Sequence, residues 1–363
     1  MIGFKPFYIS DEGEAVRSEY DPALTSPQLA NSFQELIREV AVLSIANYKN
    51  MLFFRGQILD HTYKTSERST LYPSIYRNAE PTEIHARFDV LDSISEEIVN
   101  VLDLSLKQSK EVLHRRKFIK WAILQHYEVC PTPFIDLTQS LHVACSFALH
   151  NNNNNYGYIY VIGLPYSSSR IAMDAEQELV VVRLLSICPP EALRPHFQEG
   201  YVAGTLDITY KYNKKLELDF NKRLIKKFKI PNKTEFWGEG FNKIPINQLF
   251  PDEDDTVLKS LQGLKDRSHR MARSGDIGLF IENWSKLEKQ ILQKGSKEKQ
   301  RAVSFGSAID NLIKMKKIDR KTATSLENLR TFRNSLVHRT EEVEQERLSK
   351  ELSLLKDLMK QLD

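Results

Sequence analysis

Apolar residues recur at spacings of three and four through "NSFQELIREVAVLSIA" (31–46), "EIHARFDVLDSISEEIVNVLDLSLK" (83–107) and "RKFIKWAILQHY" (116–127), and these stretches read as helices. "MLFFRG" (51–56) reads as a strand, as do the β-rich runs "YGYIYVIGL" (156–164), "ELVVVRLLSI" (178–187) and "GTLDITYKY" (204–212). "NNNNN" (151–155) is a polar loop between a helix and a strand. The mixture lacks a regular βαβ period, so it predicts an α+β domain rather than a doubly wound sheet.

The texture changes after residue 255. Five stretches, "DDTVLKSLQGLKDRSHRMAR", "DIGLFIENWSKLEKQILQK", "QRAVSFGSAIDNLIKMKKI", "DRKTATSLENLRTFRNSLVH" and "EEVEQERLSKELSLLKDLMKQL", each show helical spacing, with Gly, Ser or Asp between them. All 14 prolines lie at or before Pro251. Proline inside a helix costs about 3 kcal/mol, so a proline-free tail suits an all-α bundle of four or five helices. The chain thus divides into a helical lead-in (1–44), a mixed domain (45–255) and a bundle (256–363).

Composition narrows the class. At 363 residues, 41% of them hydrophobic and 27% charged, the chain reads as soluble and globular. No run approaches the length of a membrane span and the N-terminus lacks signal-peptide order, so a cytoplasmic location is expected. Cys130, Cys145 and Cys188 are widely spaced without a C-x-x-C pair, which predicts buried free thiols rather than disulfides or zinc. The net charge of +3 hides an asymmetry: 23 basic against 15 acidic residues from Thr256 onward. A basic bundle allows an anionic partner such as RNA, or is simply a solvated helical surface.

"FFRGQ" (53–57) ends an apolar strand on a cation, a glycine and an amide. Either the strand surfaces there, or Arg55 closes a ligand pocket and Gly56 lets the ligand approach the backbone. With "STLYPSIYR" (69–77), "WAILQHYEVCPTPFIDLTQSLHVACSFAL" (121–149), "RPHFQEGYV" (194–202) and "IPINQLFPD", the triplet Phe54, Arg55 and Gly56 resembles the FRG domain over roughly residues 45–255. Pro133 and Leu137 depart from the family pattern, which has arginine and tryptophan there.

The order of these motifs also resembles that of arginine-type ADP-ribosyltransferases. That resemblance implies a mixed sheet with helices and a site for NAD, with Arg55 holding the diphosphate. It implies Thr138 and Ser140 on the nicotinamide side, and Gly56, Gln57, His126, Tyr127 and Asp136 around the same pocket. For the residue that stabilises the departing charge it offers Glu176 or Glu178 in "EQELVVV", or Gln198 beside Glu199. Other roles are open: Thr138 or Asp136 could cap the following helix, and His126, with no second ligand at metal spacing, could be an interior hydrogen-bonded histidine. No metal is expected.

"LRTFRNSLVHR" contains Arg333, Asn334 and His338 as R-N-x-x-x-H, which resembles the motif of HEPN domains, helical bundles that often carry a metal-independent RNase site. On that resemblance His338 is the general acid or base and Arg333 stabilises the phosphate, with dimerisation through the bundle. Asn334 and His338 share a helix face, whereas Arg333 and His338 lie about 140° apart on a regular helix. Together the two resemblances imply a bacterial toxin or phage-defence effector, its FRG domain NAD-using or acting as sensor to an RNase. A non-enzymatic nucleotide-binding and dimerisation protein stands as the third reading.

Overall fold

The computed structural model describes residues 7–9, 15–17, 21–63, 66–77, 79, 81–102, 115–166, 169–175, 178–189, 191–205, 215–295, 304–338 and 343–362. Two compact units divide the chain, Met1–Ser268 and His269–Asp363.

In the N-terminal unit the order is β1 (Phe7–Ile9), β2 (Ala15–Arg17), β3 (Gln28–Leu29), α1 (Phe33–Ala46), β4 (Asn50–Gln57), α2 (Pro81–Val101), α3 (Lys117–His126), β5 (Phe134–Thr138) and α4 (Leu141–Leu149). Then come β6 (Tyr156–Pro165), β7 (Ile171–Asp174), β8 (Leu179–Arg183), α5 (Leu184–Ile187), α6 (Leu193–Phe197), β9 (Gly200–Thr205), β10 (Leu224–Pro231) and α7 (Ile246–Leu249). Among the described residues eight strands form one sheet in the order β3-β10-β6-β4-β5-β9-β8-β7, and β1 pairs with β2 in a second, two-stranded sheet. All neighbours in the large sheet are antiparallel except β3 with β10. This is the α+β class that the irregular mixture of elements predicts.

The alternation of strand side chains builds two cores, one on each face. Phe54 joins Ile159, Val161, Phe228 and the α4 residues Ala144 and Ala148 on one face. Phe53 joins Ile135, Leu137, Ile162 and Tyr201 on the other. Helix α4 lies unusually close to the sheet. A Cβ on Gly56 would fall 1.9 Å from the Ala144 carbonyl oxygen, and one on Gly157 would fall 2.5 Å from that of Ala148. The two glycines and the two alanines are therefore one packing device.

Two expectations about the strands change. The described part of the run "GTLDITYKY", Gly204 and Thr205, belongs to β9, which begins earlier, at Gly200; residues 206–212 lie outside those described. In "ELVVVRLLSI" the strand stops at Arg183 and a helical turn, α5, follows.

Helix α8 (Thr256–Gly295) is continuous through Ser274, Gly275 and Asp276, where the sequence pattern suggests two helices. Glycine in a helix costs only about 1 kcal/mol relative to alanine, too little to break a helix held by packing on both sides of the interruption. Its early residues Val257, Leu261 and Leu264 are buried, and its late residues Phe280, Trp284, Leu287 and Ile291 enter the core of the C-terminal unit. The division after Ser268 thus falls inside α8, whereas the sequence expectation places it near 255.

The C-terminal unit continues with α9 (Phe305–Lys314), α10 (Arg320–His338) and α11 (Gln345–Leu362), packed around Phe305, Leu326, Phe332 and Leu355 with the end of α8. Among the described residues no helix is long and apolar enough to cross a membrane.

Candidate functional site

Strands β4 and β5 share a single ladder pair, Phe54 with Thr138. Beyond it, Arg55 and Gly56 stand opposite Leu137 and Asp136 without pairing, while β4 pairs along its whole length with β6, and β5 with β9. The sheet therefore splits in its middle. A cleft of about 210 Å³ opens there, lined by Arg55, Gly56, His126, Glu128, Asp136 and Gln198 among others.

Arg55 spans the split. Its Nη1 donates to the Asp136 carbonyl oxygen at 2.7 Å, taking up an acceptor that the missing ladder leaves bare, and its Nε is buried without a partner. Burial lowers the Arg55 pKa, against the opposing pull of Asp136 and Tyr160. Arg77, from the "STLYPSIYR" run, is an exposed residue, yet the protein around its guanidinium desolvates it. Together with the positive charge of Arg55, this pushes its pKa down to about 10. An anion placed here would relieve both arginines.

The Asp136 carboxylate is fixed from two sides of α3: Gln125 Nε2 donates to Oδ2 at 2.6 Å, and His126 Nδ1 lies 3.2 Å from Oδ1. Burial would raise the Asp136 pKa, but the hydrogen bond and charge of His126, the charge of Arg55 and the bond from Gln125 outweigh it and hold the carboxyl below its ordinary value. Gln125 is itself held, its Oε1 accepting from Thr132 and from Ser74 Oγ. The far nitrogen of His126, Nε2, is buried without a partner, and the residue lines the cleft. Gly200 makes room for this ring, since a Cβ there would meet His126 Cε1 at 3.1 Å.

The remaining expected residues separate. Thr138 lines the cleft and its Oγ1 accepts from the Ser140 N–H at 3.0 Å. Ser140, not Thr138 or Asp136, caps α4, accepting from Val143 N–H. Gln57 is half-buried at the end of β4 with its Oε1 unpartnered. Tyr127 does not line the cleft; its hydroxyl donates to the buried Asp255, at 2.9 Å to Oδ2. Gln198 does line it, with Nε2 donating to the Leu249 carbonyl at 2.8 Å. Glu199 is exposed beside it, at φ 46°.

Glu178 sits elsewhere. It precedes β8, whose Leu179 pairs with Thr205 at one end of β9, while the cleft lies at the Gly200 end. Five residues of strand separate the two ends by roughly 17 Å. Glu176 lies outside the described residues. The carboxylates at the cleft are Asp136 and one that no sequence motif marks, Glu128. Glu128 follows α3 in the left-handed region, at φ 53°, a conformation in which glutamate is uncommon. Helix ends favour glycine or asparagine at such a position, so a glutamate just after "QHY" gives no turn signal to read.

In the C-terminal unit, Arg333 Nη1 donates to Asn334 Oδ1 at 3.1 Å, and His338 is the last residue of α10. The His338 side chain lies outside the described residues. Among the described residues no group of three or more His, Cys, Asp or Glu could hold a metal ion. The three cysteines are buried free thiols.

Residues 50–157 match the family model of the FRG domain. The match is narrower than the resemblance read from the sequence, and it holds both flanks of the split sheet with Arg55, His126, Asp136 and Thr138, but not Gln198. Comparison with curated proteins and with solved structures gave no match.

Proposed function

We propose that the FRG-domain cleft takes NAD as substrate, with Arg55 meeting its diphosphate and the nicotinamide ribose lying toward His126, Asp136 and Glu128. The observation that carries this reading is the split between β4 and β5, which brings a desolvated guanidinium and two carboxylates to one opening. The fit is chemical. Arg55 Nε and His126 Nε2 are buried polar atoms without protein partners on residues that line the cleft, and a ligand with phosphate and hydroxyl groups supplies partners for both, whereas Gln57 is not among the lining residues. A volume of about 210 Å³ suits one ring and its sugar, so the adenosine half would lie along the surface. Negative charge from Asp136 and Glu128 favours an oxocarbenium-like centre as nicotinamide leaves. Depleting NAD in a cell is the chemistry of a toxin or phage-defence effector, and that is the role this reading assigns.

The test is calorimetry with NAD on the chain and on Arg55→Lys. Lysine keeps the charge and loses the fork, so affinity should fall by about 1.5–3 kcal/mol, the range of a charge-assisted hydrogen bond. Equal affinity for both forms, or none for either, would refute the assignment.

One observation favours a second reading, of RNA cleavage by the C-terminal unit. Arg333 Nε is buried without a partner beside the Arg333–Asn334 bond, so a phosphate would complete it. Incubation with total RNA in the absence of metal tests this, and undegraded RNA would rule it out.

A further inference from the structure

His126 is held as a catalytic imidazole is held. Asp136 fixes Nδ1, Gln125 fixes Asp136, and Gly200 leaves the ring its space. Only 2% of the His126 side chain is exposed, yet Nε2 has no protein partner and the residue lines the cleft. A purely structural histidine so deeply buried would be expected to use both nitrogens. Thr138 is the single hydroxyl among the described lining residues, and its Oγ1 already accepts from Ser140 N–H. The acceptor best suited to a cleft of this size is therefore water.

We propose that His126 is the general base of a hydrolytic step, its Nε2 taking the proton of the water that attacks C1′ of the nicotinamide ribose. The inference rests on the reading of the cleft as a NAD site and adds the fate of the ADP-ribosyl group. The C1′–N bond breaks with its electron pair going to nicotinamide, the C1′–O bond forms, and one water proton passes to Nε2 and then to solvent. The products are nicotinamide and free ADP-ribose. Asp136 acts as a positioning residue, presenting Nε2 to the cleft in its basic form.

The charged and titratable groups around the imidazole are Asp136 from β5, Arg55 from β4, Arg194 from α6 and, in the adjoining segment, Tyr127 and Glu128. A protonated imidazole cannot accept a proton, so turnover should show an acid limb, falling toward low pH.

The experiment follows NAD, nicotinamide and ADP-ribose by chromatography across pH, with NAD affinity from calorimetry, for the full chain and His126→Gln. We expect free ADP-ribose from the parent. In the variant kcat should fall about 100-fold or more, the acid limb should vanish and affinity should stay within about threefold. Should His126→Gln fail to fold, Asp136→Asn carries the test: without the carboxylate that orients the imidazole, kcat should fall while NAD affinity stays within about threefold. A folded His126→Gln with parental kcat and pH profile overturns the proposal, as does a folded Asp136→Asn with parental kcat. ADP-ribose found only on protein overturns the hydrolytic fate while leaving the NAD site standing. Absence of NAD binding by the parent overturns the site and the proposal together.

Discussion

Gly56 shows how a backbone requirement that is legible in the sequence can also serve a neighbour that the sequence does not name. The sequence sets a turn against ligand access; the structure gives the space to helix α4, whose Ala144 carbonyl would be 1.9 Å from any Cβ. Nothing in "FFRGQ" names that helix, because the contact spans almost ninety positions of sequence. Arg55 is different, since its strand-end position and its charge both point to the split that it bridges. The glycine makes a clear stability test. Gly56→Ala must push α4 off the sheet and should cost about 2–3 kcal/mol in urea unfolding. Gly263 is the contrasting case, lying in α8 with nothing within 4 Å of where a Cβ would stand, so Gly263→Ala should stabilise by about 0.5–1 kcal/mol. An equal effect of the two changes would remove the packing argument.

Among the elements, the legible ones are those whose burial is periodic. Helices α1 and α3 and strands β4 and β6 follow their apolar spacing because one face, or both, meets a core. β10 is not legible as a strand, since "LIKKFKIP" carries three lysines in a row of eight. Lys227 is nevertheless buried, its Nζ 3.2 Å from Asp60 and bonded to the Ala23 carbonyl, and such a partner is invisible locally. Helix α8 is the opposite case, starting where the sequence pattern places a boundary. Asp255, fully buried, caps it through Leu258 N–H at 2.9 Å and also accepts from Tyr127 hydroxyl and Arg194 N–H. Arg194 in turn lies over the rings of Tyr127 and Phe250 and reaches Asp252 at 2.8 Å. Asp255→Ala removes a cap and strands two buried donors, so it should destabilise the N-terminal unit by about 2–4 kcal/mol. Tyr127→Phe removes one of those donors with its bond and should cost about 1 kcal/mol. Chemical denaturation of both variants checks the ordering, and a larger loss from Tyr127→Phe would contradict this account of the knot.

For the whole molecule, the division inside α8 assigns chemistry by unit. The cleft and every residue proposed to act in it precede Ser268, and so do the buried helical positions Val257, Leu261 and Leu264. The apolar core of α8's later half, from Phe280 onward, belongs with α9, α10 and α11. Most of the basic balance lies on that side, with 20 basic against 14 acidic residues from His269 onward. If the NAD site is a property of the N-terminal unit, a fragment ending at Ser268 should keep NAD affinity within about twofold, because each unit carries its own core. The dimerisation that the HEPN resemblance implies would, by contrast, belong to the C-terminal unit: on that reading the full chain should sediment as a dimer and the fragment as a monomer. Calorimetry and sedimentation on the two proteins decide both points. A folded fragment that has lost NAD binding would show that residues after 268 complete the site, and a dimeric fragment would move the self-association surface to the N-terminal unit.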